Sequence, residues 1–200
     1  MKGLLALTRL IDALNERIGK LVYWLLLAAT LISCVNAVVR KAFNVSSNAY
    51  LEAQWYLFAA VFMLGAGYTL LHDKHVRIDV LASRWSRRAQ IWIDVVGMVV
   101  FLIPLCVAFI YLSLPTVSNA ITSGEVSANP GGLIRWPLYI LVPAGFGLLL
   151  LQAVSELIKR IAFLTGAGPD PHPKGAEKSD AELLLEELAD KTGAPVGAAK

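Results

Sequence analysis

IWIDVVGMVVFLIPLCVAFIYL, residues 91–112, decides the fold class. Its one charged side chain, Asp94, stands near the start, and everything after it is apolar or weakly polar. A helix needs roughly 20 such residues to cross a hydrocarbon core of about 30 Å, and the helix itself must satisfy every backbone N–H and C=O where no water is available. Segments at about 21–39, 53–71 and 138–157 meet the same requirement. The expected fold class is therefore an all-α membrane protein with four transmembrane helices. Composition agrees, since the 200 residues are 56% hydrophobic and 16% charged, with a mean hydropathy of +0.60. An ordinary soluble domain carries about 25% charged residues. The net charge of +3 is too small for a nucleic-acid binder. Cys34 and Cys106 both fall inside apolar blocks, where each reads as a small hydrophobe.

Tyr23, Trp24, Trp55, Tyr56, Trp92, Trp136 and Tyr139 lie near the ends of the expected spans, at the headgroup level that amphipathic aromatic rings prefer. Lys2, Arg9, Arg17 and Lys20 precede the first span, Lys74, Arg77, Arg84, Arg87 and Arg88 separate the second from the third, and Lys159 and Arg160 follow the fourth. They outnumber Arg40, Lys41 and Arg135 on the opposite side, so both termini are expected in the cytoplasm, with loops around 40–52 and 113–135 outside.

Leu4, Leu7, Ile11, Leu14 and Ile18 recur at helical spacing opposite Arg9, Asp12, Asn15, Glu16 and Lys20. This is the pattern of an amphipathic helix lying in the membrane interface. A second such helix is expected in the cytoplasmic loop, where Ile78, Leu81, Ala82, Trp85 and Ala89 form a stripe opposite Arg77, Ser83, Arg84 and Arg87. Membrane lipids are thus expected partners. The integral domain is expected over 1–165, and 166–200 reads as a flexible cytoplasmic tail, Pro- and Gly-rich at its start. Ser179 and Glu182 there make a capping-box pattern ahead of Leu184, Leu185 and Leu188, a possible short helix.

A charge held at mid-membrane costs at least ~2.5–3.5 kcal/mol and is kept only for a purpose. The span centres hold none, while Glu52, Asp94 and Glu156 lie at span ends, where a solvated or capped terminus is the expectation. All three histidines, His72, His75 and His172, lie outside the spans, which argues against haem held between helices. No nucleophile-base set, phosphate loop or dinucleotide fingerprint is visible. No enzyme activity, cofactor or metal is expected. Gly65 with Thr69 forms a small-xxx-small pair suited to close helix approach, Gly145 and Gly147 lighten the fourth span, and Pro104 and Pro143 are expected to kink theirs.

Specific runs carry a resemblance. They are Glu52-Ala-Gln54-Trp55-Tyr56-Leu-Phe58, Leu64-Gly65-Ala-Gly67-Tyr68-Thr69-Leu, His75-Val-Arg77-Ile-Asp79-Val, Ile93-Asp94, Ser123-Gly124-Glu125-Val-Ser127, Trp136-Pro137 and Leu141-Val-Pro143-Ala-Gly145-Phe146. Together, over about residues 15–160, they resemble the small membrane subunit of the tripartite ATP-independent periplasmic (TRAP) transporters. Residues 55–58 with Asp73 and 76–80 look closest to the branch associated with mannitol and chloroaromatic compounds. The resemblance implies a sodium-driven uptake system for an organic acid or related solute. Its partners would be a large membrane subunit holding the transport sites and a periplasmic solute-binding protein. This chain would be a fixed scaffold for the large subunit.

Under that resemblance Gln54, Trp55, Gly65, Tyr68, His75, Arg77, Asp79, Asp94, Pro137 and Pro143 form the structural and assembly motif, with Arg77 and Asp79 pairing with each other or with the backbone near the second span's cytoplasmic end and helping hold the loop helix. Glu52, Glu125 and Ser127 are the candidate contacts for the binding protein. Two other readings compete: a self-sufficient homo-oligomeric small transporter or channel, opposed by the charge-free span centres, and a membrane anchor of a redox enzyme, opposed by the missing intramembrane histidines.

Overall fold

The computed structural model describes residues 2–44, 47–72, 85–166 and 168. The helices are α1 (Lys2–Phe43), α2 (Asn48–Leu71), α3 (Arg87–Gly97), a π-helical turn (Met98–Leu102), α4 (Ile103–Ser123) and α5 (Trp136–Leu164). α3, the π turn and α4 run on as one rod, so four helical rods are long and apolar enough to cross a membrane. The π turn stands just ahead of Pro104. Proline has no N–H for the carbonyl four residues back, and its ring crowds that carbonyl, so a widened turn accommodates it. α4 and α5 continue helically through Pro115 and Pro143.

α1 packs on α2 and α5, α2 on α5, and α4 on α5, which makes α5 the common neighbour. Asp12 meets Lys159, Glu16 meets His72, and Asp94 meets Arg160. These pairs gather the start of α1, the end of α2, the start of α3 and the end of α5 at one end, called here the basic end. The loop between α4 and α5 meets the start of α2 at the opposite end, the loop end.

Backbones approach most closely where glycine removes a side chain. A Cβ on Gly145 of α5 would stand 2.6 Å from the carbonyl oxygen of Met63 in α2. A Cβ on Gly67 of α2 would press on the Asn15 side-chain amide of α1 and stand 3.3 Å from the Leu148 carbonyl oxygen of α5, so Gly67 sits where three helices meet. Gly19 of α1 is covered by the Tyr68 ring. The expected Gly65 and Thr69 pair is not the close approach, because a Cβ on Gly65 would meet only Val22 at an ordinary 3.8 Å. The Thr69 hydroxyl donates to the Gly65 carbonyl within α2 itself.

The outer surface is apolar, with Phe62, Phe101 and Tyr111 each exposed by more than 70%. Lipid tails are as apolar as Leu, so such side chains gain little by turning inward, and small or polar groups are left to hold the helices together.

That inversion corrects the expectation at the amino terminus. Residues 2–20 do form a helix, but it is the first part of α1 and continuous with the first span. Leu4, Leu7, Leu10 and Leu14 face outward, while Thr8, Asn15 and Gly19 are buried with Ile11 against the neighbouring helices. Asp12 and Asn15 have partners on α5, and turning them inward satisfies more hydrogen bonds than burying leucines would.

The outer loop expected over 113–135 is also corrected, because α4 extends to Ser123. Val117 and Ala120 are buried on the same rod as Cys106, and Phe109 stacks on Phe146 at 4.6 Å, so packing overrides Pro115 and the neighbouring serines. The helix stops at Gly124, whose φ of +62° suits a residue without a Cβ. The expected loop helix over 78–89 falls mostly on 73–84, outside the described residues, while Ser86 caps a new helix, its hydroxyl accepting from the Ala89 N–H. The tail from 169 onward likewise lies outside them.

Candidate functional site

Two polar assemblies mark the ends of the bundle, and helix periodicity builds both. At the basic end Gln152, Ser155, Glu156, Lys159 and Arg160 share one face of α5 at spacings of three and four residues, the rule for neighbours on a helix. Thr8, Asp12 and Asn15 do the same on α1. Asn15 donates to the Gln152 carbonyl oxygen at 2.9 Å, and Gln152 donates to Asp12 at 2.9 Å and to Glu156 at 3.3 Å. The Ser155 hydroxyl donates to Asp12 at 2.8 Å, and Lys159 pairs with Asp12 at 3.2 Å and with Glu156. Arg160 donates to Glu156 at 2.5 Å and reaches Asp94 of α3 at 3.4 Å.

Glu156 and Gln152 are fully buried and Arg160 is 2% exposed. Glu156, expected at a solvated or capped terminus, is instead fully buried: two cations and an amide replace water around its carboxylate. In this cluster the buried Asn15 carbonyl oxygen has no hydrogen-bond partner and rests against Gly67. Alongside, Glu16 pairs with His72 at 2.8 Å and with Lys20 at 3.4 Å, and Tyr68 packs edge-on to Tyr23.

At the loop end, Val126 and Ile134 form a bridge, with the Ser127 N–H donating to Leu133 O at 2.9 Å and the Arg135 N–H to Glu125 O at 3.0 Å. Between them Asn129-Pro130-Gly131-Gly132 turns tightly, the Gly132 N–H returning to Asn129 O at 2.9 Å and Gly131 taking a φ of +72°. Proline second and a positive-φ glycine third are the requirements of a type II turn.

α2 grips this loop. The Glu52 carboxylate accepts from the Ser127 hydroxyl, from the Asn129 amide at 2.8 Å and from the Leu133 N–H at 2.7 Å. Asn48 donates to Pro130 O at 3.0 Å, and the Tyr56 hydroxyl donates to Ile134 O at 3.2 Å. Glu52 is 3% exposed, so it too is buried where a solvated terminus was expected. Arg135 pairs with Glu125 at 3.0 Å on the outside and donates to the Tyr139 oxygen at 3.4 Å. The Tyr139 hydrogen bond, then the Glu125 charge, lifts the Arg135 guanidinium above its ordinary value.

The residues singled out from sequence scatter over these assemblies. Asp94 joins the basic end, Tyr68 seals Gly19, and Pro137 occupies the first turn of α5, where its missing N–H is not needed. Pro143 lies inside α5, Gln54 is half-buried, and Trp55 is 61% exposed at the loop end. His75, Arg77 and Asp79 lie outside the described residues. Glu52 and Ser127 bind each other, whereas Glu125 remains exposed.

Sequence reasoning missed Asp12, Asn15, Gln152, Ser155 and the Lys159–Arg160 pair as a cluster. The available signal was that polar residues on two separate helices each kept to one helical face. Among the described residues, no group of three or more His, Cys, Asp or Glu side chains is placed to hold a metal ion. Among the described residues, the Asn15 side-chain oxygen is the one buried side-chain N or O atom without a hydrogen-bond partner, an arrangement suited to holding helices and a loop in place.

Residues 29–163 match the family described as tripartite ATP-independent periplasmic transporters, DctQ component. No curated protein and no solved structure matches the chain.

Proposed function

The chain belongs to the DctQ component family of the tripartite ATP-independent periplasmic transporters, and from that premise we propose that this small multi-pass component is a fixed membrane scaffold for a large transport subunit and a docking aid for a periplasmic solute-binding protein. The carrying observation is where its polar chemistry lies. Among the described residues, the buried charged side chains, Glu52 at one end of the bundle and Glu156 with Arg160 at the other, have hydrogen-bond partners within the chain, while the span middles hold no Asp, Glu, Lys, Arg or His. A chain that moved an ion or solute by itself would keep ionisable groups at mid-depth. Sodium coupling and substrate sites are accordingly assigned to the large subunit.

The basic end is placed in the cytoplasm on the excess of Lys and Arg that flanks it, and the loop end in the periplasm of a bacterial inner membrane. The likeness of 55–58 and 76–80 to the mannitol and chloroaromatic branch supports an organic acid or related solute. Arg77 and Asp79 are assigned to holding the cytoplasmic loop.

Affinity purification of the tagged chain from its native membrane in mild detergent, followed by mass spectrometry, tests the scaffold role. A stoichiometric many-span partner is the expected result. Recovery of the chain alone as a stable homo-oligomer would overturn it in favour of a self-sufficient transporter. Docking has its own test: Glu125→Lys, which reverses an exposed charge and repels Arg135, is expected to weaken binding-protein affinity several-fold and to lower the on-rate most at low salt. Affinity equal to wild type by surface-based kinetics would remove Glu125 from the docking surface.

A further inference from the structure

We propose that Asn48, Glu52 and Tyr56 are positioning residues that hold the 125–135 loop in one conformation for the binding protein, an inference that rests on the docking role given above. The three stand four residues apart, so they share one face of α2. Each reaches a different part of the loop: Asn48 the turn at Pro130, Glu52 both arms through Ser127, Asn129 and Leu133, and Tyr56 the exit at Ile134.

The loop's internal order is slight, a single bridge and one turn. An isolated two-stranded element of this kind is marginal in water. The bonds from α2 therefore decide whether the loop is preformed. A buried carboxylate is costly unless its oxygens are used, and Glu52 uses both, on donors that only the folded loop brings together.

The consequence is a division of labour. Glu52 and Ser127 face inward and set the shape, while Val126, Ile134 and the Glu125–Arg135 pair are left on the outside. A preformed loop spares the partner the entropy of ordering it, so loosening this ladder of bonds from Asn48, Glu52 and Tyr56 should weaken docking.

The test uses the complex of this chain with its large subunit in lipid nanodiscs, titrated with the binding protein, together with amide hydrogen exchange over 125–135. Glu52→Ala is expected to speed exchange in that segment and to raise the apparent Kd about tenfold. Glu52→Gln, which keeps an acceptor oxygen, should fall between Glu52→Ala and wild type. Tyr56→Phe removes only the bond to Ile134 O and should shift both readouts less in the same direction, which keeps the test open if Glu52→Ala does not assemble. Unchanged exchange in these variants would overturn the ladder alone, and faster exchange with unchanged Kd would overturn its role in docking. A wild-type complex that does not bind the protein would instead overturn the docking role, and the inference with it.

Discussion

Glu156→Leu is expected to destabilise the chain by roughly 3–5 kcal/mol, the usual result of removing one member of a buried, hydrogen-bonded ion cluster. Glu156 is fully buried, and both Lys159 and Arg160 turn toward its carboxylate. Without it the two cations face each other with less compensation, and the Arg160 guanidinium, 2% exposed, cannot recruit water to replace the lost partner. The double variant Glu156→Leu/Arg160→Leu removes the stranded charge and should recover most of the loss, since Lys159 keeps Asp12 and Asp94 at 24% side-chain exposure can hydrate. Thermal unfolding of the purified chain in detergent reads both. A single variant as stable as wild type, or a double variant no better than the single, would show that the cluster does not hold α1, α3 and α5 together.

Gly145→Ala is expected to cost about 1–3 kcal/mol and to loosen α2 from α5. The added methyl would stand 2.6 Å from Met63 O and 2.8 Å from its carbonyl carbon, and these are backbone atoms that cannot rotate away. Gly147, two residues on in the same helix, provides the control. A Cβ there meets nothing within 4 Å, so Gly147→Ala removes only the conformational freedom of glycine and should be neutral or stabilising by up to about 1 kcal/mol. Opposite signs for the two alanines in one melting experiment would confirm that α5 is held at Gly145 by backbone contact. Equal effects would mean that helix propensity alone governs both sites.

The runs around Glu52, Gly67 and Gly145 are readable in the sequence as a family pattern. The structure supplies the reason for those residue types: Glu52 closes the loop, Gly67 admits Asn15, and Gly145 admits the Met63 backbone. Trp55 and Tyr68 separate in the same way. Trp55 faces outward at the loop end, as an aromatic near a span end should, whereas Tyr68 is spent on covering Gly19 and meeting Tyr23 inside the bundle. Nothing in their local sequence distinguishes the two rings. The Asn129-Pro130-Gly131-Gly132 turn is anchored to α2 by residues about 80 positions away, a partnership that no local pattern displays.

Four apolar rods and the charge asymmetry of their flanks follow from the amino-acid sequence alone, because hydrocarbon admits only long, self-satisfied helices and both requirements are written along the chain. Which side of each rod faces inward was decided by tertiary structure. In water the apolar face of an amphipathic helix points to the core, and on that rule Leu4, Leu7 and Leu14 should be covered and Asp12 and Asn15 exposed. Next to lipid the preference for burying leucine vanishes, and the side chains that must find partners are the polar ones. Asp12 and Asn15 find theirs on Gln152, Ser155 and Lys159, some 140 residues away, an arrangement that only the packed helices can reveal.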